Sequence, residues 1–284
     1  MKTTNRIIKY FAIALAVFLI ITIFSSIAYG IYGISQIFEI GFNIGSPFDD
    51  DSDFDNAEEF KSEIFDEASI KNIVIDITGM NLIIRNGDEL KAETDSDDVY
   101  YEVNGSSLRI IEKRKNWFDK DNSGKIILYI PVVSAFQNIN INAGAGKIEA
   151  QEIYCEHFNL DVGAGKADIG KLNVSGKSVI EAGAGKIDVS VGNINNLDLQ
   201  VGTGKADVKA EITGKADVEV GIGSIDLHLI GTDDDYMISA EKGLGSISVE
   251  GEQLDDNNHF GSGAVKVDIE NGIGSINVDF VGAD

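Results

Sequence analysis

The chain has 284 residues, 43% of them hydrophobic, and a formal net charge of −24. Two prolines against 31 glycines, with regular apolar alternation in the second half, describe a folded β protein and exclude low-complexity disorder. So acidic a surface repels nucleic acid, and one cysteine, Cys155, excludes an internal disulfide and, with no Cys/His cluster, a zinc site.

Lys2, Arg6 and Lys9 precede an uncharged stretch from Tyr10 to Phe38, whose first part, residues 10–30, is long enough to span a bilayer as a helix. Basic residues stand before it and acidic ones after it, so the reading is a single-pass signal anchor. Residues 1–9 are then cytoplasmic and the rest of the chain is extracytoplasmic. A cleaved signal peptide, with Ser26-Ile27-Ala28 at the cleavage site, is the competing reading. Apolar residues continue past Ala28 through Ile31, Ile34 and Phe38, which favours the uncleaved anchor. Residues 31–67 form a juxtamembrane segment and an acidic linker, with Asp49-Asp50-Asp51-Ser52-Asp53-Phe54-Asp55 as its densest part.

Residues 68–137 alternate as short strands at 71–77, 81–85, 99–103, 108–113 and 125–130, with Asn104-Gly105 as a hairpin signal. They are expected to cap the first coil of the repeats that follow, because an open sheet end invites edge-to-edge pairing. From residue 138 to 284 a Gly-x-Gly triplet recurs seven times: Gly144-Ala145-Gly146, Gly163-Ala164-Gly165, Gly183-Ala184-Gly185, Gly202-Thr203-Gly204, Gly221-Ile222-Gly223, Gly243-Leu244-Gly245 and Gly272-Ile273-Gly274. The steps between first glycines are 19, 20, 19, 19, 22 and 29 residues. A near-constant period is the signature of stacked repeats. Alternating residues flank each triplet, so each repeat reads as two short strands joined by glycine turns, the glycines supplying positive φ at the corners. Too few residues separate the strands for crossover helices. The predicted fold is all-β: a single-stacked β-solenoid of 19–20-residue coils behind one transmembrane helix.

Lys125-Ile126-Ile127-Leu128-Tyr129-Ile130-Pro131, then Ile139-Asn140-Ile141 leading into Gly-Ala-Gly-Lys-Ile-Glu and Gly-Ile-Gly-Ser-Ile-Asn units, resemble the bacterial putative-adhesin family over roughly residues 68–284. The resemblance implies a membrane-anchored β-solenoid ectodomain in the cell envelope, often of Gram-positive bacteria, and a role in adhesion or envelope stress. It carries over no catalytic residues.

The most ordered polar feature is a pair of columns, Lys147, Lys166, Lys186 and Lys205 beside Glu149, Asp168, Asp188, Asp207 and Asp226. Residues two apart on a strand share a face, so the columns read as a mutually compensating charge ladder on the outer face, or as a template for a wall polymer or envelope protein. Asp119-Lys120-Asp121-Asn122-Ser123-Gly124 begins like a calcium loop, but Ile130 stands where the bidentate Glu belongs. Gly-x-Gly-Lys lacks both the third glycine and the helix of a phosphate cradle. His157, His228 and His259 match no metal spacing, and no cofactor is expected. A polysaccharide-acting enzyme, lyase or glycosidase, is the alternative to a non-catalytic binding protein. Its site would lie where the period breaks, at Gly231–Tyr236 with Asp233, Asp234 and Asp235, and at Gly251–Gly263 with Asp255, Asp256 and His259.

Overall fold

The computed structural model describes residues 60–113, 124–131, 136–256 and 258–282. The apolar segment 10–38 and the acidic run 49–55 lie outside them, as does all of the calcium-like loop except Gly124. The described residues are all β, in one large mixed sheet without a helix.

The first strands are β1 (Lys61–Ile64), β2 (Asn72–Ile77), β3 (Asn81–Gly87), β4 (Lys91–Thr94), β5 (Val99–Asn104), β6 (Ser107–Glu112) and β7 (Lys125–Pro131). Alternation at the sequence level finds β2, β3, β5, β6 and β7. It misses β4, whose Lys91-Ala92-Glu93-Thr94 buries only an alanine and a threonine, and β1, which is exposed throughout and falls in the stretch read as linker. Asn104 and Gly105 turn the β5–β6 hairpin, with Gly105 in the left-handed region at φ 58°.

Next come β8 (Phe136–Ala143), β9 (Lys147–Val162), β10 (Lys166–Ala182), β11 (Lys186–Val201), β12 (Lys205–Ile212), β13 (Lys215–Val220) and β14 (Ser224–Ile230). Successive repeats pair in parallel and in register, Lys166 with Lys147 and Lys186, and Ile180 with Leu160 and Leu199. The stack starts earlier than the glycine triplets. β2 and β3 pair in parallel with β8 and β9, and Thr78-Gly79-Met80 occupies the triplet's place, with Gly144 N–H donating to Ile77 O at 3.0 Å and Ala145 N–H to Thr78 O at 2.8 Å. β6 and β7 form one further layer beneath, and the antiparallel strands β1, β4 and β5 close that end.

Two expectations are corrected inside the repeats. The first is two strands per repeat joined by two glycine turns; β12 and β13 keep that form around the turn at Thr213-Gly214, whereas β9, β10 and β11 run 16, 17 and 16 residues without a break. In β9 the inward residues slip phase twice, from Ala150 to Ile153 and from Cys155 to Phe158, so the chain bends while Ile148, Ile153, Phe158 and Leu160 stay in the core. Such a slip turns a strand as a bulge does, in β9 without glycine, whereas Gly170 and Gly176 stand at the two bends of β10. The second is the reason for the glycines. None of the triplet glycines has positive φ; among the described glycines only Gly105, Gly231, Gly251 and Gly261 do. What excludes a side chain is the layer below: a Cβ on Gly165 would stand 2.1 Å from the carbonyl oxygen of Gly146, and one on Gly204 2.1 Å from that of Gly185. The turns stack backbone on backbone, Gly163 N–H donating to Ala143 O at 2.8 Å and Ala164 N–H to Gly144 O at 2.7 Å.

The last strands are β15 (Tyr236–Lys242), β16 (Ser246–Val249), β17 (Glu252–Gln253), β18 (His259–Phe260), β19 (Val265–Asn271) and β20 (Ser275–Val281). Here spatial order departs from chain order. β19 pairs in parallel with β13 on one side and β15 on the other, and β20 lies likewise between β14 and β16. The turn at Gly272 therefore sits on the turn at Gly221, and the turn at Gly243 sits on Gly272, with Ile273 N–H donating to Gly221 O and Leu244 N–H to Gly272 O, each at 2.7 Å. The irregular steps of 22 and 29 residues have this cause. The chain skips a layer through residues 231–235, builds the terminal layer, returns through residues 250–264 and fills the gap.

Candidate functional site

The charged columns stand where the alternation puts them. Lys147, Lys166, Lys186 and Lys205 are in register across four layers, and Glu149, Asp168, Asp188, Asp207 and Asp226 form the neighbouring row. Each lysine is held by a carboxylate. Lys147 pairs with Glu149, Lys166 with Asp168 at 2.7 Å, Lys186 with Asp188 at 3.8 Å, and Lys205 reaches into the next layer to Asp226 at 2.7 Å. The hydrogen bond to Asp226 holds the Lys205 ammonium above its ordinary range, against a smaller opposing pull from burial. Burial acts to raise Asp226, but hydrogen bonds from Lys205 and Asn277 outweigh it and leave the carboxyl below its usual range. The column ends at Lys205, for the next positions in space are Ser224, Ser275 and Ser246.

The two irregular loops meet along their backbones. Ser262 N–H donates to Asp233 O at 2.9 Å, Gly263 N–H to Tyr236 O at 3.0 Å and Val265 N–H to Asp235 O at 3.1 Å. The contact is tight enough that a Cβ on Gly263 would fall 1.8 Å from the Asp235 carbonyl carbon. Beside it lies a cleft of about 490 Å³ lined by Glu211, Asp234, Asp235, Tyr236 and Val265 among others. Two of its polar groups serve the fold. The Asp235 carboxylate accepts from Thr232 N and Oγ1 at 2.9 and 3.0 Å, and the buried Tyr236 hydroxyl donates to Ile230 O at 2.8 Å and accepts from Ile212 N–H at 3.2 Å.

The other acidic set is elsewhere. Asp256 accepts from Lys242 N–H at 3.1 Å, and His259 Nδ1 lies 3.1 Å from Ser239 Oγ, both on the edge of the terminal layer. That edge is further closed by Asn258, whose carbonyl takes Ala240 N–H, and by the short antiparallel pairings of β17 and β18. The histidines take separate partners. His157 accepts from Lys177 N–H at 3.0 Å, while His228 lies 3.5 Å from Asp207 and 3.6 Å from Asp279. No group of His, Cys, Asp and Glu among the described residues could hold a metal ion. Cys155 is buried, and burial pushes its thiol up to about 12.

Two residues escape sequence reasoning. The Glu112 carboxylate accepts from the N–H groups of Thr78, Gly79 and Met80 at 2.6, 3.0 and 3.3 Å, standing in for the carbonyls that a lower turn would supply. Nothing in the sequence marks it, since its partners lie 32 to 34 residues away. Asn271 occupies the core position held by Ala143, Val162, Ala182, Val201 and Val220 in earlier layers. Its amide donates to Gly274 O at 2.9 Å and to Ser246 O in the terminal layer at 2.7 Å, tying the inserted layer to its neighbour. An amide in an otherwise apolar column is a signal that alignment of the repeats would expose.

No family model matches the chain, and no curated protein matches it. Solved structures do. A putative adhesin from Bacteroides fragilis is 14% identical, covers 78% of this chain and 98% of its own, and superposes with a TM-score of 0.53. A putative cell adhesion protein from Clostridium sporogenes is 18% identical over 78% of this chain and 99% of its own, with a TM-score of 0.41. A putative adhesin from Parabacteroides distasonis is 17% identical over 78% and 97%, with a TM-score of 0.47. The likeness to the Bacteroides fragilis structure is one of fold.

Proposed function

We propose that this chain is a non-catalytic cell-envelope protein, anchored by residues 10–30, that holds a rigid β-solenoid outside the membrane and works by binding, either in adhesion-like contact or as a structural or stress-sensing element. The observation that carries this reading is the in-register stacking itself. Backbone and charged side chains repeat layer upon layer with their partners already supplied, which makes a stiff, preorganised surface. The apolar stretch after Lys2, Arg6 and Lys9 supports the anchor, and the fold shared with the Bacteroides fragilis putative adhesin supports a binding role. The ligand class that suits the charged columns is a wall polymer or an envelope protein.

The test is retention of purified wall polymers and envelope proteins by the full chain held in neutral-lipid nanodiscs. A variant with Lys147, Lys166, Lys186 and Lys205 changed to serine runs beside it. Retention by the parent and loss by the variant supports the columns as the binding face; no retention by either overturns the reading. The acidic cleft by Glu211, Asp234 and Asp235 favours a second reading, a polysaccharide-acting enzyme. Shortening of the polymer during incubation, lost in Asp234→Asn, would support it.

A further inference from the structure

The insertion of β19 and β20 between earlier layers creates a surface that chain order does not suggest. In space the middle residues of the triplets run Ala145, Ala164, Ala184, Thr203, Ile222, Ile273, Leu244. Four small residues give way to three large apolar ones on three consecutive turns, and these are 48, 50 and 89% exposed. With layers about 4.8 Å apart, they form one continuous apolar ridge instead of three scattered side chains.

The ridge has unlike flanks. Two residues before each of these triplets stand Glu219, Glu270 and Glu241, in register with one another and exposed. After the triplets come Ser224, Ser275 and Ser246, and one row further Asp226, Asn277 and Ser248, joined by hydrogen bonds from Asn277 Nδ2 to Asp226 and from Ser248 Oγ to Asn277 at 2.8 and 2.7 Å. The lysine column stops one layer short of the ridge, at Lys205. Lys242, preceding the Gly243 turn, is the basic residue beside Leu244 in sequence.

We infer that this ridge is a docking surface for a cationic amphipathic helix of a partner protein. The inference rests on the binding-module reading and gives it a partner. The charges are complementary: a row of three carboxylates follows the apolar line, and the in-register lysines of these layers, Lys215 and Lys266, stand four residues further back along β13 and β19, where Lys215 pairs with Asp217 and Asp268. The dimensions agree as well. Two layers rise about 9.6 Å, and apolar positions i and i+7 of a helix are about 10.5 Å apart. Three ridge side chains can therefore seat in the groove of one helix face, while lysines or arginines beside that face meet the glutamates.

The experiment uses a fluorescein-labelled Leu–Lys model helix with an i, i+3, i+4, i+7 apolar face. It is titrated by anisotropy against the full chain in neutral-lipid nanodiscs, with empty nanodiscs as the blank. The expected result is saturable binding, weakened about tenfold or more by Ile222→Ser, Ile273→Ser and Leu244→Ser together. These side chains are solvent-exposed, so the variant should melt as the parent does. Glu219→Gln with Glu241→Gln should weaken binding several-fold at low salt and flatten its salt dependence. Equal binding by parent and ridge variant, equal binding of oligolysine, or capture of neutral-lipid vesicles in place of the peptide overturns the inference. If the peptide fails to bind while wall polymer is still retained, the ridge falls alone and the binding module stands. If neither is bound, both fall.

Discussion

Gly204→Ala separates two reasons for a glycine at a turn. The added Cβ would lie 2.1 Å from the carbonyl oxygen of Gly185, and such atoms do not approach closer than 3.0 Å, so the layers must part locally by about 0.9 Å. The hydrogen bonds from Thr203 N–H to Gly183 O at 2.7 Å and from Lys205 N–H to Gly185 O at 3.0 Å lie at that point and would stretch out of range. Losing two backbone bonds costs about 1 kcal/mol each. Overpacking adds roughly 1–3 kcal/mol, for a total of about 3–5 kcal/mol. In a domain of this size that lowers Tm by roughly 6–20 °C, read by circular dichroism on the full chain. Gly204→Asn decides between the causes, because asparagine tolerates positive φ and alanine does not. If close approach is the reason, the two variants fall together, and Thr203→Ala, whose side chain points outward, stays within about 0.5 kcal/mol. At Gly105, with φ 58° and nothing within 4 Å of an added Cβ, alanine should cost about 1–2 kcal/mol and asparagine far less. A Gly204→Asn variant as stable as the parent would refute the stacking account.

The other predictions concern the ends and the charges. Glu112→Gln replaces an anion that accepts three N–H groups, and should cost about 1.5–3 kcal/mol, with faster amide exchange at Thr78, Gly79 and Met80 than anywhere in the central layers. Asn271→Val should loosen β15 and β16 ahead of β10 and β11 in hydrogen exchange, because it removes the Asn271 hydrogen bond to Ser246 O in the terminal layer and the one to Gly274 O that steadies the turn beneath it. The Lys205–Asp226 pair contributes on both sides of neutrality. The lowered Asp226 carboxyl adds stability above about pH 3.8 that disappears as pH falls through its folded value, and the raised Lys205 adds stability that disappears as pH rises past about 10.5. Both side chains are partly exposed, so each limb should be under about 1 kcal/mol, and Lys205→Met with Asp226→Asn should flatten both in urea titrations. Cys155, with its thiol raised to about 12, should ignore a thiol reagent at pH 8 until the chain is unfolded.

The period, the strand alternation and the charged columns are legible in the sequence because each depends on residues two or about nineteen apart, and stacking carries that local order into space unchanged. The phase slips at Ala150–Ile153 and Cys155–Phe158 are legible as well once apolar residues three apart are counted as bends. The inverted order at the C-terminus is not. Steps of 22 and 29 residues reveal an interruption, but Ile273 resembles a seventh turn as much as a sixth, and only the hydrogen bonds to Gly221 place it. Glu112 is invisible for the same reason, since its role comes from a turn that lacks a glycine triplet. The acidic breaks, which drew attention as catalytic candidates, turn out to be divided. Asp235 serves its own turn and Asp256 the terminal edge.

The inverted order changes how the molecule can come apart. A stack built in chain order can unzip from its last repeat, one unit at a time, because that repeat has a neighbour on one side only. Here the last strands of the chain, β19 and β20, are clamped on both sides, and the outermost layer belongs to residues 236–249, in mid-chain. A pulling force applied just past Val281 meets a strand that cannot leave until the layer above it has moved. During synthesis the same geometry leaves the outer layer without its neighbour until residue 281 has emerged, so the final two layers close together or not at all.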